Sequence, residues 1–221
     1  TLGAEPIELE YGIRGGGPLD RVASTGVLTW AMNNSVRSSG GVLGYYTPGH
    51  ANARAGLELG ITIRLSLAYA GTTYYKFRGT LVSVQPTPGI SRHRSVLCTA
   101  YDWMDEAASC LVKDTALQTS KRSDQLITTI VANCVGRPPT AASYNVGQST
   151  FAYAMDNLKD EKTLALRALA DVTMAEVGYL YVKGDTVRGG TLKFEDRHAR
   201  VLAASSASFD ASMFDVAVLR S

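Results

Sequence analysis

An α+β protein, mainly β, is the fold class this sequence predicts: an antiparallel β-barrel or β-sandwich, then a smaller α+β unit. Three features carry that expectation. From Leu57 to Tyr69 the odd positions are all apolar or aromatic (Leu57, Leu59, Ile61, Ile63, Leu65, Leu67, Tyr69), while the even ones carry Glu58, Gly60, Thr62, Arg64, Ser66 and Ala68. A period of two held that long belongs to one strand face and excludes an amphipathic helix. Ala70-Gly71 then permits a tight turn into Thr73–Gln85, rich in Thr, Tyr, Phe and Val, so the two runs read as a long antiparallel hairpin. After residue 101 the apolar spacing becomes helical, with capping residues ahead of each stripe.

The remaining elements follow in chain order. Ile7, Leu9, Tyr11 and Ile13 alternate as in a half-buried strand, which Gly15-Gly16-Gly17-Pro18 breaks. Leu28, Trp30 and Met32 form a second strand ending at Asn33-Asn34-Ser35, and a Gly/Ser-rich loop runs from Ser38 to Gly44. Pro86, Pro88 and Gly89 end the hairpin, and Ser95–Tyr101 is a further strand. Asp102 can cap a helix reaching about Val112, with Asp105 and Glu106 near its positive end. Ser123 can cap a second helix, whose stripe is Leu126, Ile127, Ile130, Val131 and Cys134, stopped by Gly136 and Pro138-Pro139. Asp160 can cap a third, with Leu166, Leu169, Ala170, Thr173 and Val177 as its stripe and Gly178 as its stop. Tyr179–Lys183 and Thr191–Glu195 read as strands joined by a Gly-rich turn. Alternation returns at Phe214, Val216 and Val218, a strand with no evident partner. Three parts are expected: a β-barrel domain over 1–101, an α+β domain over 102–198, and over 199–221 the start of a further β segment. With no initiator Met and an unpartnered last strand, the natural chain is expected to continue.

The 221 residues, 45% hydrophobic and 19% charged, have globular composition. No apolar run is long enough for a membrane-spanning helix, and the N-terminus lacks the pattern of a signal peptide. A net charge of +2 gives no electrostatic case for a dedicated nucleic-acid binder. Cys98, Cys110 and Cys134 are odd in number and form no CxxC. They read as small hydrophobes of a reducing compartment rather than as a disulfide framework or zinc site.

Catalytic patterns are absent, and the chain is expected not to be an enzyme. No catalytic, cofactor-binding or metal-ligating residue is assigned, and no cofactor is implied. His50, His93 and His198 have no ligand spacing. Gly15-Gly16-Gly17 lacks the Gly-Lys-Ser/Thr that reaches phosphate and magnesium, so a plain turn is expected. Asp102, Asp105 and Glu106 resemble a carboxylate pair for glycoside cleavage, but their place at a helix start favours capping. Arg92-His93-Arg94 is a small basic cluster on a loop. Trp30 lies in step with Leu28 and Met32, as a core residue would, and Trp103 adds a second indole. Tyr45-Tyr46 and Tyr74-Tyr75 are expected to place one ring on each face of a strand, which fits a protein interface as well as a sugar platform.

Several segments, in order, resemble the N-terminal region of bacteriophage minor tail and baseplate hub proteins. They are GVLTWAMNNS (Gly26–Ser35), GYYTPGH (Gly44–His50), RAGLELGITIRL (Arg54–Leu65), FRGTL (Phe77–Leu81) and VLCTAYDWMDEA (Val96–Ala107). The Ser-capped helix at 123 and Ala165–Arg197, with LRALADVTMAEVGYLYVKG and LKFEDR, extend the resemblance over nearly all of the chain. The loop Val36–Val42 is longer than the family pattern.

The resemblance implies assembly. Hub proteins of this kind form trimers in which two related barrels per subunit make a pseudo-sixfold ring matching a hexameric tail tube. The ring continues a channel through which DNA or a tape-measure protein passes without sequence-specific binding. Implied partners are other copies of the chain and the tail tube, distal tail and tip or spike proteins. The implied location is the tail tip of a virion assembled in the host cytoplasm. The readings that compete are a hexameric tail tube or distal tail protein, a carbohydrate-binding β module of a larger enzyme, and a tail-associated hydrolase whose catalytic residues lie past residue 221.

Overall fold

The first hundred residues build one five-stranded sheet. A computed structural model describes residues 6–87, 94–113, 115–134, 136–156, 163–184 and 190–202. The strands are β1 (Glu8–Gly12), β2 (Ser24–Asn33), β3 (Thr62–Tyr69), β4 (Thr72–Pro86) and β5 (Ser95–Tyr101), in the order β1-β2-β5-β4-β3 with every pair antiparallel. The order is linear, so β1 and β3 are edges and the sheet does not close into a barrel. Register sets the inner face. Leu28, Trp30 and Met32 oppose Ala100, Cys98 and Val96, and beyond them stand Leu81 and Val84. The loop between β2 and β3 covers this face with Tyr45, Tyr46, Leu57 and Ile61.

β3 starts later than its alternation predicts. Gly56 and Gly60 adopt positive φ, 76° and 86°, which places turns at 55–56 and 59–60 where strand was expected. Leu57 and Ile61 still pack on the core while Leu59 is exposed. The FRGTL segment has a steric reason: a Cβ at Gly79 would stand 2.1 Å from the carbonyl oxygen of Tyr101. Only a glycine lets β4 approach there.

The rest of the chain forms helices α1 (Trp103–Ser109), α2 (Ser123–Asn133) and α3 (Ala165–Glu176), with short strands around them. Asp102 caps α1 as expected, its side chain accepting from the Met104 N–H at 3.0 Å. That helix stops at Ser109 because Leu111–Val112 (β6) pairs with Thr163–Leu164 (β10). α2 is capped one residue earlier than expected. Arg122 occupies the cap, the Gln125 side chain accepts its N–H at 3.0 Å, and Ser123 begins the helix. α3 ends at Val177 in the left-handed region, φ 60°, rather than at Gly178. Gly178 serves close approach instead, since a Cβ there would stand 2.5 Å from the Glu195 carbonyl oxygen.

Gln118–Arg122 (β7) pairs with Thr150–Ala154 (β9), and Tyr179–Lys183 (β11) pairs with Thr191–Glu195 (β12). Ala141–Tyr144 (β8) lies parallel to β12. The largest apolar cluster gathers Met104, Leu126, Ile127, Leu169, Leu180 and Phe194. Ala23 joins that cluster, and its N–H donates to the Leu180 carbonyl at 2.8 Å, so the segment before β2 is tied to β11. Among the described residues no helix is long and apolar enough to cross a membrane. Asp160, Pro88, Gly89, Arg92, His93, Phe214, Val216 and Val218 lie outside the described residues.

Candidate interaction surface

The outer half of the β3–β4 hairpin has no core beneath it. Ala70 (φ 48°) and Gly71 (φ 78°) make a turn with both central residues left-handed, which matches the twist of the flanking strands. Ile63 and Leu65 pack against the sheet core. The same stripe continues through Leu67 and Tyr69, but every residue from 66 to 74 is exposed. Leu67 is 52%, Tyr69 76% and Tyr74 41% accessible, and Leu67 stands directly opposite Tyr74. The register shifts between Leu65 and Ser66, so Lys76 is the extra residue on β4. A bulge of this kind raises local twist. The stripe is therefore apolar where the core has ended, and β3 is an edge strand with unpaired backbone along it.

A groove of about 390 Å³ lies beside this arm. Ile7, ahead of β1, and Ile63 and Leu65 on β3 line it from the two sheet edges, with Trp30, Tyr46, Leu57, Arg54 and Arg64 among the other lining residues. Both edges of the open sheet thus border one depression.

The residues singled out for chemistry are placed apart, in structural roles. His50 is exposed, and its Nδ1 accepts from the Asn52 N–H at 3.1 Å. His198 is exposed far along the chain. Among the described residues no group of His, Cys, Asp and Glu could hold a metal ion. The Gly15-Gly16-Gly17 turn is closed by Asp20, which accepts the Gly17 N–H at 2.8 Å, so a carboxylate already fills the space a phosphate would need. Asp102 is buried in its cap, and burial pushes its carboxyl up. Glu106 accepts the Arg137 N–H at 3.0 Å.

The indole of Trp103 donates to the Arg137 carbonyl at 2.9 Å, and Trp30 is half-buried on the sheet core. Tyr45 and Tyr46 lie in the covering loop rather than on a strand. Their rings meet edge-on at 5.0 Å with Tyr46 buried. Tyr74 and Tyr75 do lie on a strand, Tyr74 exposed and Tyr75 half-buried beneath the Arg64 guanidinium at 4.8 Å. The three cysteines are free, and burial pushes the Cys98 thiol up to about 11 and the Cys110 thiol up to about 12. Both are inert at neutral pH.

One residue escaped the sequence reading. Glu176 is fully buried at the end of α3. Its carboxylate accepts from Ser123 Oγ at 2.5 Å, Ser149 N at 2.8 Å, Arg197 Nε at 3.1 Å and Gln148 N at 3.2 Å. Burial raises its pKa, yet these donors outweigh burial and hold it below the ordinary glutamate value. Ser123 is turned inward to this carboxylate, which is why it does not cap α2. The only sequence signal is position: Glu176 sits three residues after Thr173 on a helical face.

No family model matches the sequence, and no curated protein is significantly similar to it. A solved structure shares the fold. An E. coli component of the type VI secretion system, described as structurally similar to the T4 bacteriophage tail proteins gp27 and gp5, matches with a TM-score of 0.50 at 11% identity, over 89% of this chain and 48% of that one. The 43 kDa tail protein of prophage MuSo2 from Shewanella oneidensis matches with a TM-score of 0.45 at 11% identity, over 77% of this chain and 46% of that one. The chain spans about half the length of each. The mainly β, α+β fold expected from the resemblance to tail hub proteins is the fold found.

Proposed function

We propose that this chain is a structural protein of a phage tail tip, a baseplate hub subunit whose copies associate into a ring continuing the tail channel. A trimer is the favoured assembly. The observation that carries the reading is the arm of residues 66–74, exposed throughout, with Leu67, Tyr69 and Tyr74 continuing a core stripe past the end of the core. An apolar stripe on an exposed edge invites another chain. A tail subunit has a use for that property, because its neighbours are fixed by assembly. The shared fold with a secretion component likened to T4 tail proteins supports the same reading.

On this reading the partners are other copies, the tail tube, the distal tail protein and the tip or spike, and the channel passes DNA or a tape-measure protein without reading sequence. The protein resides in the virion after assembly in the host cytoplasm. No catalytic role is assigned to it.

The test is Leu67→Asp combined with Tyr69→Asp. The variant is expected to keep the circular dichroism and melting temperature of the parent and to lose association in light scattering. Unchanged assembly by this variant would refute the arm's role.

A further inference from the structure

Charge is segregated along this chain in a way that net charge conceals. From residue 21 to residue 101 there are eight Lys and Arg residues and a single carboxylate, Glu58. The first twenty residues hold one basic residue, Arg14, and four acidic ones.

The fold turns this imbalance into a pattern on one sheet face. Leu9 pairs with Leu28 on the core side, so Glu8 and Glu10 of β1 project from the opposite face beside Thr29 and Val27. Ile63 and Leu65 face the core, so Arg64 of β3 projects from that same opposite face, directly across from Arg78 of β4. One edge of the face is acidic and the other basic, and β2 and β5 between them carry no Lys, Arg, Asp or Glu. Within one copy neither Glu8 nor Glu10 forms an ion pair with Arg64 or Arg78.

The basic edge carries no ion pair among the described residues. Two arginines directly opposite on an antiparallel pair repel. Arg64 rests on the Tyr75 ring, and the ion pairs among the described residues involve Arg14, Arg122, Arg167, Lys193, Arg197 and Arg200 instead. Arg64 is exposed, and the Nε of Arg78 is buried with no hydrogen-bond partner. On the acidic edge, among the described residues, Glu8 is exposed without an ion pair and Glu10 meets Arg14 in an exposed contact at 2.9 Å. Such surface pairs exchange readily.

We infer that the acidic β1 edge of one copy docks on the Arg64–Arg78 edge of another. The inference rests on the assembly reading above and names the surfaces. Such a contact closes into a ring or continues as a filament when each copy gives its two edges to different neighbours, and makes a two-fold dimer when two copies exchange them reciprocally. An acid-to-base contact also predicts weakening by salt.

The experiment measures association of the full chain by light scattering at low and high salt for four chains: unaltered, R64E/R78E, E8R/E10R, and all four changes together. Each two-site reversal is expected to raise the association midpoint at least tenfold, while the four-site chain returns to the unaltered midpoint. Mixing the two reversed chains is expected to restore association as well.

If the reversed chains associate like the unaltered one, or the folded four-site chain does not recover, the inference fails. In that case association that still depends on Leu67 and Tyr69 leaves the assembly reading standing. A chain that stays monomeric at every workable concentration refutes both. If R64E/R78E leaves association intact but abolishes binding to a mixed-sequence oligonucleotide, the basic edge serves nucleic acid and the inference is overturned.

Discussion

In the α+β half two carboxylates, Glu176 and Glu195, are each held by several partners, whereas in the sheet half Glu8, Glu10 and Arg64 lie exposed. Glu176 is fully buried with four hydrogen-bond donors on its carboxylate. Glu195 is engaged by Arg200 at 2.9 Å, Tyr181 at 2.7 Å and Lys193 at 3.3 Å. In the sheet half, Arg64 and Arg78 oppose one another with no carboxylate paired to either among the described residues, and Leu67 and Tyr69 run a core stripe into solvent. A buried charge without partners costs several kcal/mol, whereas an exposed one costs little until something covers it.

Removing the enclosed charge should have the largest effect. Glu176→Ala strips the shared acceptor from Ser123, Ser149, Gln148 and Arg197 and leaves the guanidinium with Ser149 Oγ but no carboxylate. A loss of about 3–5 kcal/mol is expected in urea unfolding. A loss below about 1 kcal/mol would erase the contrast between the halves.

Acid sharpens the same point. Glu176 and Glu195 are both held below the ordinary glutamate value of about 4.3, burial being outweighed by their donors. Their contribution is fully present above that value and is lost as pH falls through their lowered values. Unfolding free energy should accordingly fall below about pH 4, and Glu176→Gln should flatten that dependence. Equal slopes for the two chains in acid would remove Glu176 from this role.

Asp102→Ala removes the cap of α1 and should cost about 1 kcal/mol in the same unfolding measurement. At the other extreme, Leu67→Ser with Tyr69→Ser should change stability by less than about 0.5 kcal/mol, as surface substitutions do. Association should nonetheless collapse in sedimentation. A large stability loss from the arm pair would mean that the stripe packs within its own chain.

How much of this was legible in the sequence depends on the range of the forces involved. Ser95–Tyr101, Tyr179–Lys183 and Thr191–Glu195 are strands with the expected bounds, because local alternation and turn residues decide them. The Ala70-Gly71 turn and the Asp102 cap are likewise local. The alternation from Leu57 onward overstated β3, since positive φ at Gly56 and Gly60 cuts it at Thr62. Short polar strands such as Gln118–Arg122 carry no periodic signal and exist through pairing with distant residues.

The interaction surface was half visible. The stripe Leu67–Tyr69 was read as strand, but nothing in the sequence says that the core ends at Leu65. The α3 stripe was read with Val177 inside, yet Glu176 is buried and Val177 exposed. Hydrophobic spacing cannot anticipate a carboxylate whose donors come from residues 123, 148, 149 and 197. Nor does a net charge of +2 reveal a sheet with opposite edges.

The most direct measurement is the solution mass of the chain by light scattering, with negative-stain imaging of the same peak. The account expects an assembly that images as a ring with a central hole, threefold for the hub reading. A sixfold ring would shift the role to a tube or distal tail protein. A monomer at every workable concentration would contradict the claim that the open sheet half is built to be covered by another copy.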